Sequence, residues 1–226
     1  MPTVTIQPTT AASTDYGVAE SYHASSYFSA VAGNSAVETT AFSTEGWAGL
    51  KVASGAFTAY ETFIRFDLSP IPDGAVINDA SLEIWPTNVR TDGGSFILEA
   101  YNFEFDLLRI NVPTYSNDWR DIGGLNALVT ANRNICAENS GALGTGAYVE
   151  LLDSKTNFVA RVQQQLDARA SFSVVFATNK MRQGLPPTDD RRAKFYAATA
   201  AANRAPKLTI DYTAPPGVSL LMGVSL

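Results

Sequence analysis

Between Tyr60 and Leu68 the chain alternates without a break. Tyr60, Thr62, Ile64, Phe66 and Leu68 fall on one side, and Glu61, Phe63, Arg65 and Asp67 on the other. Side chains separate with a period of two only on an extended strand, so this run is predicted to be a strand with its even-numbered side on the core. Pro70-Ile71-Pro72-Asp73-Gly74 follows with turn chemistry, because proline fixes φ and glycine supplies positive φ. Ala80 to Trp85 repeats the pattern, with Leu82 and Ile84 inward and Glu83 and Trp85 outward. Thr91-Asp92-Gly93-Gly94 then turns the chain into Phe96, Leu98 and Ala100. Repeated strands and turns of this kind favour two packed antiparallel sheets.

The rest of the chain fits around that framework. Thr3 to Gln7 alternates Val4 and Ile6 with polar neighbours until Pro8, as an edge strand would. From Thr9 to Gly46 the residues are mostly Ser, Ala, Thr and Gly with isolated aromatics. This stretch is expected to be a loop insertion with short pairings, packed on the sandwich or on a partner. Residues 102 to 147 are expected to be mostly loop. Tyr148 to Leu152 reads as a short strand and Lys155 to Ala168 as a helix. In that helix Phe158, Val159, Val162 and Leu166 share one side, and Arg161, Gln163, Gln164 and Gln165 cover the other. Phe172 to Phe176 and Lys207 to Tyr212 are further strands. The expected fold is all-β: an antiparallel two-sheet β-sandwich (jelly roll) with one short helix and long loops. Residues 1–213 form a single domain with the insertion at about 9–46, and 214–226 form an apolar C-terminal arm. With 46% hydrophobic residues, including 12 Phe, 9 Tyr and 3 Trp, the 226-residue chain has ample material for one core.

Several chemistries are excluded by what the chain lacks. Net charge is −6, the wrong sign for steering toward phosphate backbones, so nucleic acid is not an expected partner. One cysteine, Cys136, allows no internal disulfide, and one histidine, His23, cannot supply the His sets of catalytic zinc sites. His23 also lacks a nearby nucleophile motif, so no Ser-His-Asp machinery is expected. Nothing among the 22 acids selects a glycosidase pair. Asp189-Asp190-Arg191-Arg192 reads as a solvated, self-neutralising loop, and Gly141, Gly144 and Gly146 lack the flanking elements of a phosphate loop. No cofactor is expected. A structural calcium ion held by loop oxygens near Asp15, Asp92 or Asp118 is the one metal the composition admits. No apolar run is long enough for a membrane span, and Met-Pro-Thr-Val-Thr is not a signal peptide.

The run Phe63-Ile64-Arg65-Phe66-Asp67-Leu68-Ser69, then Ile71-Pro72-Asp73-Gly74-Ala75 and Ala80-Ser81-Leu82-Glu83-Ile84, resembles the opening of the DNRLRE-type jelly-roll domains, which are related to carbohydrate-binding modules. Tyr148-Val149-Glu150-Leu151 with its following helix, Phe172 to Phe176, and Pro206 to Tyr212 fit in order as later pieces. The resemblance spans most of residues 46 to 213 and implies a non-catalytic module of extracellular enzymes, adhesins or envelope proteins. The segment before Gly46 and the region from Asn102 to Ala147 depart from it. A free-standing sandwich without a secretion signal suits a phage virion component, an expectation that rests on analogy at the level of fold.

Two sets of residues are candidates for binding. Exposed aromatic rings can stack on sugar C–H surfaces, and Trp85 is the first candidate, followed by Trp47, Trp119, Tyr22 and Tyr27. After Pro215-Pro216-Gly217 the chain continues without charge, and Val218, Leu220, Leu221, Met222, Val224 and Leu226 need cover from water. They can fold back on their own sandwich or dock on a neighbouring subunit by strand addition. The expectation is a structural or attachment protein of a multi-subunit particle, most consistent with a virion surface protein made in a host cytoplasm. Its partners are other subunits. The alternative is a glycan-binding module of a secreted or cell-surface protein.

Overall fold

The computed structural model describes residues 1–8, 16–23, 37–40, 45–92, 94–102, 134–152, 155–169, 171–182, 188–197 and 204–216. Along the chain these form β1 (Thr3–Ile6), β2 (Tyr16–His23), β3 (Val37–Thr40), β4 (Glu45–Ala53), β5 (Ala56–Phe66), β6 (Val76–Ile84), β7 (Pro86–Arg90), β8 (Ile97–Asn102), β9 (Asn134–Asn139) and β10 (Val149–Glu150). There follow α1 (Lys155–Asp167), β11 (Phe172–Thr178), the short α2 (Asn179–Arg182), β12 (Arg191–Tyr196) and β13 (Lys207–Thr213). One sheet has the order β1-β13-β6-β10 and the other β7-β12-β4-β5-β11-β8-β9, with β2 and β3 attached to it through β5. All the pairings are antiparallel. This is the two-sheet antiparallel architecture that the alternation predicts.

The nine-stranded sheet forks at β5. Residues 57–60 pair with both β2 and β4, and residues 62–64 pair with both β2 and β11. A strand has two edges, so β2 runs along one of them while β4 and β11 share the other in succession. The β4–β5 hairpin closes through Ser54 and Gly55, whose φ values of 51° and 80° are the positive pair that a type I′ turn requires.

Between the sheets lie Ile64, Phe66, Val174, Phe176, Leu98 and Ala100 from one side and Leu82, Ile84, Leu208 and Ile210 from the other. Helix α1 adds Phe158, Val162 and Leu166, with Phe158 against Phe172 at 5.6 Å between ring centroids. Phe176 meets Phe195 of β12 at 5.0 Å.

Four features differ from the sequence expectation. First, the odd-numbered side of β5 is not solvated. Glu61 and Phe63 are each 1% exposed, and in register with them Glu99, Tyr101, Ser173 and Val175 are also buried. Second, β9 lies in the region read as loop, with Cys136 in the core, while β2 and β3 are pairings of the kind expected within residues 9–46. Third, Arg191 and Arg192 open β12 rather than a free loop. Fourth, the polar side of α1 is not all solvent: Gln165 is buried. Gln163 accepts from the Ile77 N–H at 2.7 Å and donates to the Ala75 carbonyl at 3.1 Å, acting as a substitute strand along the start of β6.

Candidate functional site

Trp85 is the single residue between β6 and β7, at the point where the chain passes from one sheet to the other. Its carbonyl accepts from the Tyr196 N–H of β12 at 3.0 Å, which fixes the crossing. The half-buried indole meets the Tyr148 ring edge-on, with centroids 5.0 Å apart and planes at 81°. The Arg204 guanidinium stands 5.2 Å from the Trp85 ring and 5.4 Å from the Tyr196 ring, and donates to the Tyr196 hydroxyl at 3.1 Å. The Lys207 ammonium sits 3.5 Å from the centre of the Tyr148 ring. Tyr148 donates to the Ala205 carbonyl at 2.9 Å, and Gln7 donates to the same oxygen at 3.0 Å. Burial and the nearby Glu83 carboxylate push the Tyr148 hydroxyl above the usual tyrosine range, and a hydrogen bond with Gln7 works against them. The result is a surface cluster of three aromatic rings and two cations over the sheet junction.

Trp47 sits in a different cluster, which shares only β12 with the first. Its ring lies 5.8 Å from that of Tyr60, with Arg192 at 4.3 Å and Lys194 at 4.8 Å. Arg192 pairs with Asp190 at 2.9 Å and Lys194 pairs with Glu45, while Asp190 also accepts from the Val52 N–H at 2.8 Å. Each cation over Trp47 is therefore tied to an acid, and cation–π attraction strengthens where water is excluded. The cluster braces β4, β5 and β12. Gly49 permits their approach: its φ is +122°, and a Cβ there would strike the Arg191 carbonyl and come within 2.7 Å of Arg192 Cα.

The structure thus separates Trp85 and Trp47 rather than joining them in one platform. Tyr22 lies in β2 opposite Thr58, and His23 lies opposite Phe57. Trp119, Tyr27, Asp15, Asp118, Val218, Leu220, Leu221, Met222, Val224 and Leu226 lie outside the described residues. Asp92 faces Arg90 at 3.9 Å, and among the described residues no group of three or more His, Cys, Asp or Glu side chains is placed to hold a metal ion. A cavity of about 230 Å³ at the end of β5 is lined by Asp67, Ser69, Asp73 and Arg169. Its charges are already answered, Asp67 by the Ser69 N–H and hydroxyl and Asp73 by Arg169 at 2.8 Å. Among the described residues no helix is long and apolar enough to cross a membrane.

One unusual group was not legible in the sequence. Glu61 is buried, its Oε1 has no hydrogen-bond partner, and desolvation pushes its carboxyl well above the usual carboxylate range. Nothing in Tyr60-Glu61-Thr62 marks it, because its state depends on the second face of β5 being covered. Two strands away, Glu99 accepts from the Tyr101 hydroxyl at 2.5 Å.

No protein-family model matches the chain, and a search of curated proteins finds no relative.

Proposed function

We propose that this chain is a non-enzymatic structural and attachment β-sandwich of a multi-subunit particle, of the kind that phage virions carry as head decorations, fibres, collars or tail components. The observation that carries this reading is where the chain leaves β13. Thr213 is paired with Val76, Ala214 packs against the core, and Pro215 passes 3.8 Å from where a Gly74 Cβ would stand. Ala214 to Pro216 therefore lie at the end of the four-stranded sheet, and the segment that follows them in the sequence is uncharged. Its six large apolar side chains gain about 25 cal/mol for each Å² withdrawn from water, which a neighbouring subunit can provide. The resemblance to DNRLRE-type jelly rolls supports a non-catalytic module.

Truncation after Pro216 tests the reading and spares Ala214. Circular dichroism should show unchanged strand content, while sedimentation equilibrium should show loss of self-association or of attachment to the particle. Normal assembly of the truncated protein would refute the reading, and so would its unfolding as a monomer.

A second reading, a glycan-binding module, is supported by the half-buried Trp85 ring among Tyr148 and Tyr196. It requires binding of the intact protein on a glycan array and loss of that binding in Trp85→Ala with an unchanged Tm. An array without binding removes it.

A further inference from the structure

We infer that the open edge of β1 is the docking site for residues 218–226 of a second copy of this chain, which add to the four-stranded sheet as an antiparallel strand. The inference rests on the reading above, that this segment docks on another subunit, and names the surface that receives it.

The first support is the edge itself. Among the described residues β1 ends the order β1-β13-β6-β10, with no strand on its outer side. The Pro2 carbonyl accepts from the Tyr212 N–H at 3.1 Å, so the main chain of Pro2, Val4 and Ile6 faces β13. By alternation, the N–H and C=O groups of Thr3 and Thr5 point away from the sheet. Beneath them Ile6 is buried and Val4 only partly so, which leaves the rim of the core open at this edge.

The second support is that this edge, a four-residue strand between Pro2 and Pro8, carries no charge against strand addition. Among the other edges, β7 opens on Pro86 and carries Arg90, β3 carries Glu38, β9 carries Glu138, and β10 is two residues long and includes Glu150. The start of β6 is closed by Gln163, and the Ala80 N–H is taken by the Asp79 carboxylate at 2.9 Å. β1 reads Thr-Val-Thr-Ile, without charge.

The third support is the pattern of the occupant. Val218, Leu220, Met222, Val224 and Leu226 alternate with Ser219, Leu221, Gly223 and Ser225. Period two with one apolar face is the signature of a strand laid over a core rim. The segment is also uncharged, which suits an edge without charge when each copy carries a net −6.

Reach decides between a second copy and the chain's own segment. Thr213 pairs with Val76 and Pro215 comes opposite Gly74, so Pro215 continues the line of β13 past the level of Thr3, which pairs with Asp211. A strand outside β1 lies two strand spacings from that line, roughly 10 Å, and an antiparallel one begins beside Ile6, which pairs with Leu208, roughly 23 Å back along the sheet. The path is about 25 Å. The three steps from Pro215 to Val218 span at most roughly 11 Å. The segment of a neighbouring copy meets no such limit.

The test uses Thr5→Pro. The Thr5 N–H points outward, so proline removes a donor from the incoming strand and none from β13. Sedimentation equilibrium would compare the full chain, the chain truncated after Pro216, and the full-length Thr5→Pro variant. A fluorescent peptide of residues 217–226 would be titrated onto the truncated protein, beside the same peptide N-methylated at alternate residues, which reports main-chain pairing without altering the sandwich. The expected results are an assembled full chain, single chains for both variants with unchanged circular dichroism, and at least tenfold weaker binding of the N-methylated peptide. If truncation dissociates the protein while Thr5→Pro stays assembled and N-methylation has no effect, the segment docks elsewhere. The edge is then the wrong site although assembly stands. If the full chain is already a single chain, both inferences fall.

Discussion

Replacing Gln163 tests whether one side chain can stand in for a strand. Its amide accepts from the Ile77 N–H at 2.7 Å and donates to the Ala75 carbonyl at 3.1 Å, and both of those residues are buried. A hydrogen bond contributes about 0.5–1.5 kcal/mol net, and a buried group left without a partner costs about 1–3 kcal/mol. The adjoining groove of about 570 Å³, lined by Val76, Ile77 and Val159, admits water and holds the cost toward the lower values. Gln163→Ala should therefore lose about 2 kcal/mol, even after the few tenths that alanine returns in helix propensity. Gln163→Glu sharpens the test. Its carboxylate still accepts from Ile77 but faces the Ala75 carbonyl and Asp167, whose Oδ1 is 2.8 Å from the present amide nitrogen. Both neighbours favour the protonated form, so the folded-state pKa of the new carboxyl should rise above about 4.3. The penalty should be absent below that unfolded value, grow as pH rises through the folded value, and be full at neutral pH. Urea denaturation followed by circular dichroism at pH 4 and pH 7 measures both effects. A loss below about 0.5 kcal/mol in Gln163→Ala, or a Gln163→Glu penalty that ignores pH, would falsify the strand-substitute account.

Three other outcomes follow from the same structure. Phe66 is fully buried between the sheets, and Phe66→Ala should cost about 3–5 kcal/mol in the same assay, whereas a loss below about 1 kcal/mol would place it on the wrong face. Because burial raises the Glu61 carboxyl, stability should be fullest below the unfolded value of about 4.3 and decline as pH rises through the folded value. Glu61→Gln should remove that decline, and parallel pH profiles for the two proteins would contradict it. Gly49→Ala should lose more than about 2 kcal/mol, since it meets both a positive φ and the close approach of β12, and a neutral result would mean that β4 and β12 separate easily.

The strands that were legible from sequence are those with one wet face. In β13, Leu208, Ile210 and Tyr212 are buried while Lys207, Thr209 and Asp211 are not, so alternation reads directly onto structure. β5 satisfies the same rule on its even side and breaks it on the other, because alternation assumes that one face meets water. A buried Glu61 and a buried Phe63 have no local signature. β12 was obscured by Asp190-Arg191-Arg192, whose charges suggest a solvated loop, although Arg192 pairs with Asp190 and lies over Trp47. β9 reads Asn-Ile-Cys-Ala-Glu-Asn, too polar at its ends to announce a strand that β8 nonetheless pairs along its length. For the candidate site, sequence marked Trp85 and Trp47. It could not show that Arg204 and Lys207 converge on one cluster and Arg192 and Lys194 on the other, since those contacts join residues far apart in the chain.

The forked pairing at β5 also orders events on the ribosome. The β4–β5 hairpin can close as soon as residue 66 has emerged, and β2 is already made. The other partner of residues 62–66 is β11, more than a hundred residues later. Until that stretch is translated, Ile64 and Phe66 belong to a strand with half of one edge unoccupied and an opposing layer that lacks β13. Local pairing wins early because its loop is short, and the long closure must wait for synthesis. Elongation rate and chaperone access over that interval should govern the yield of native protein more than the stability of the finished sandwich does.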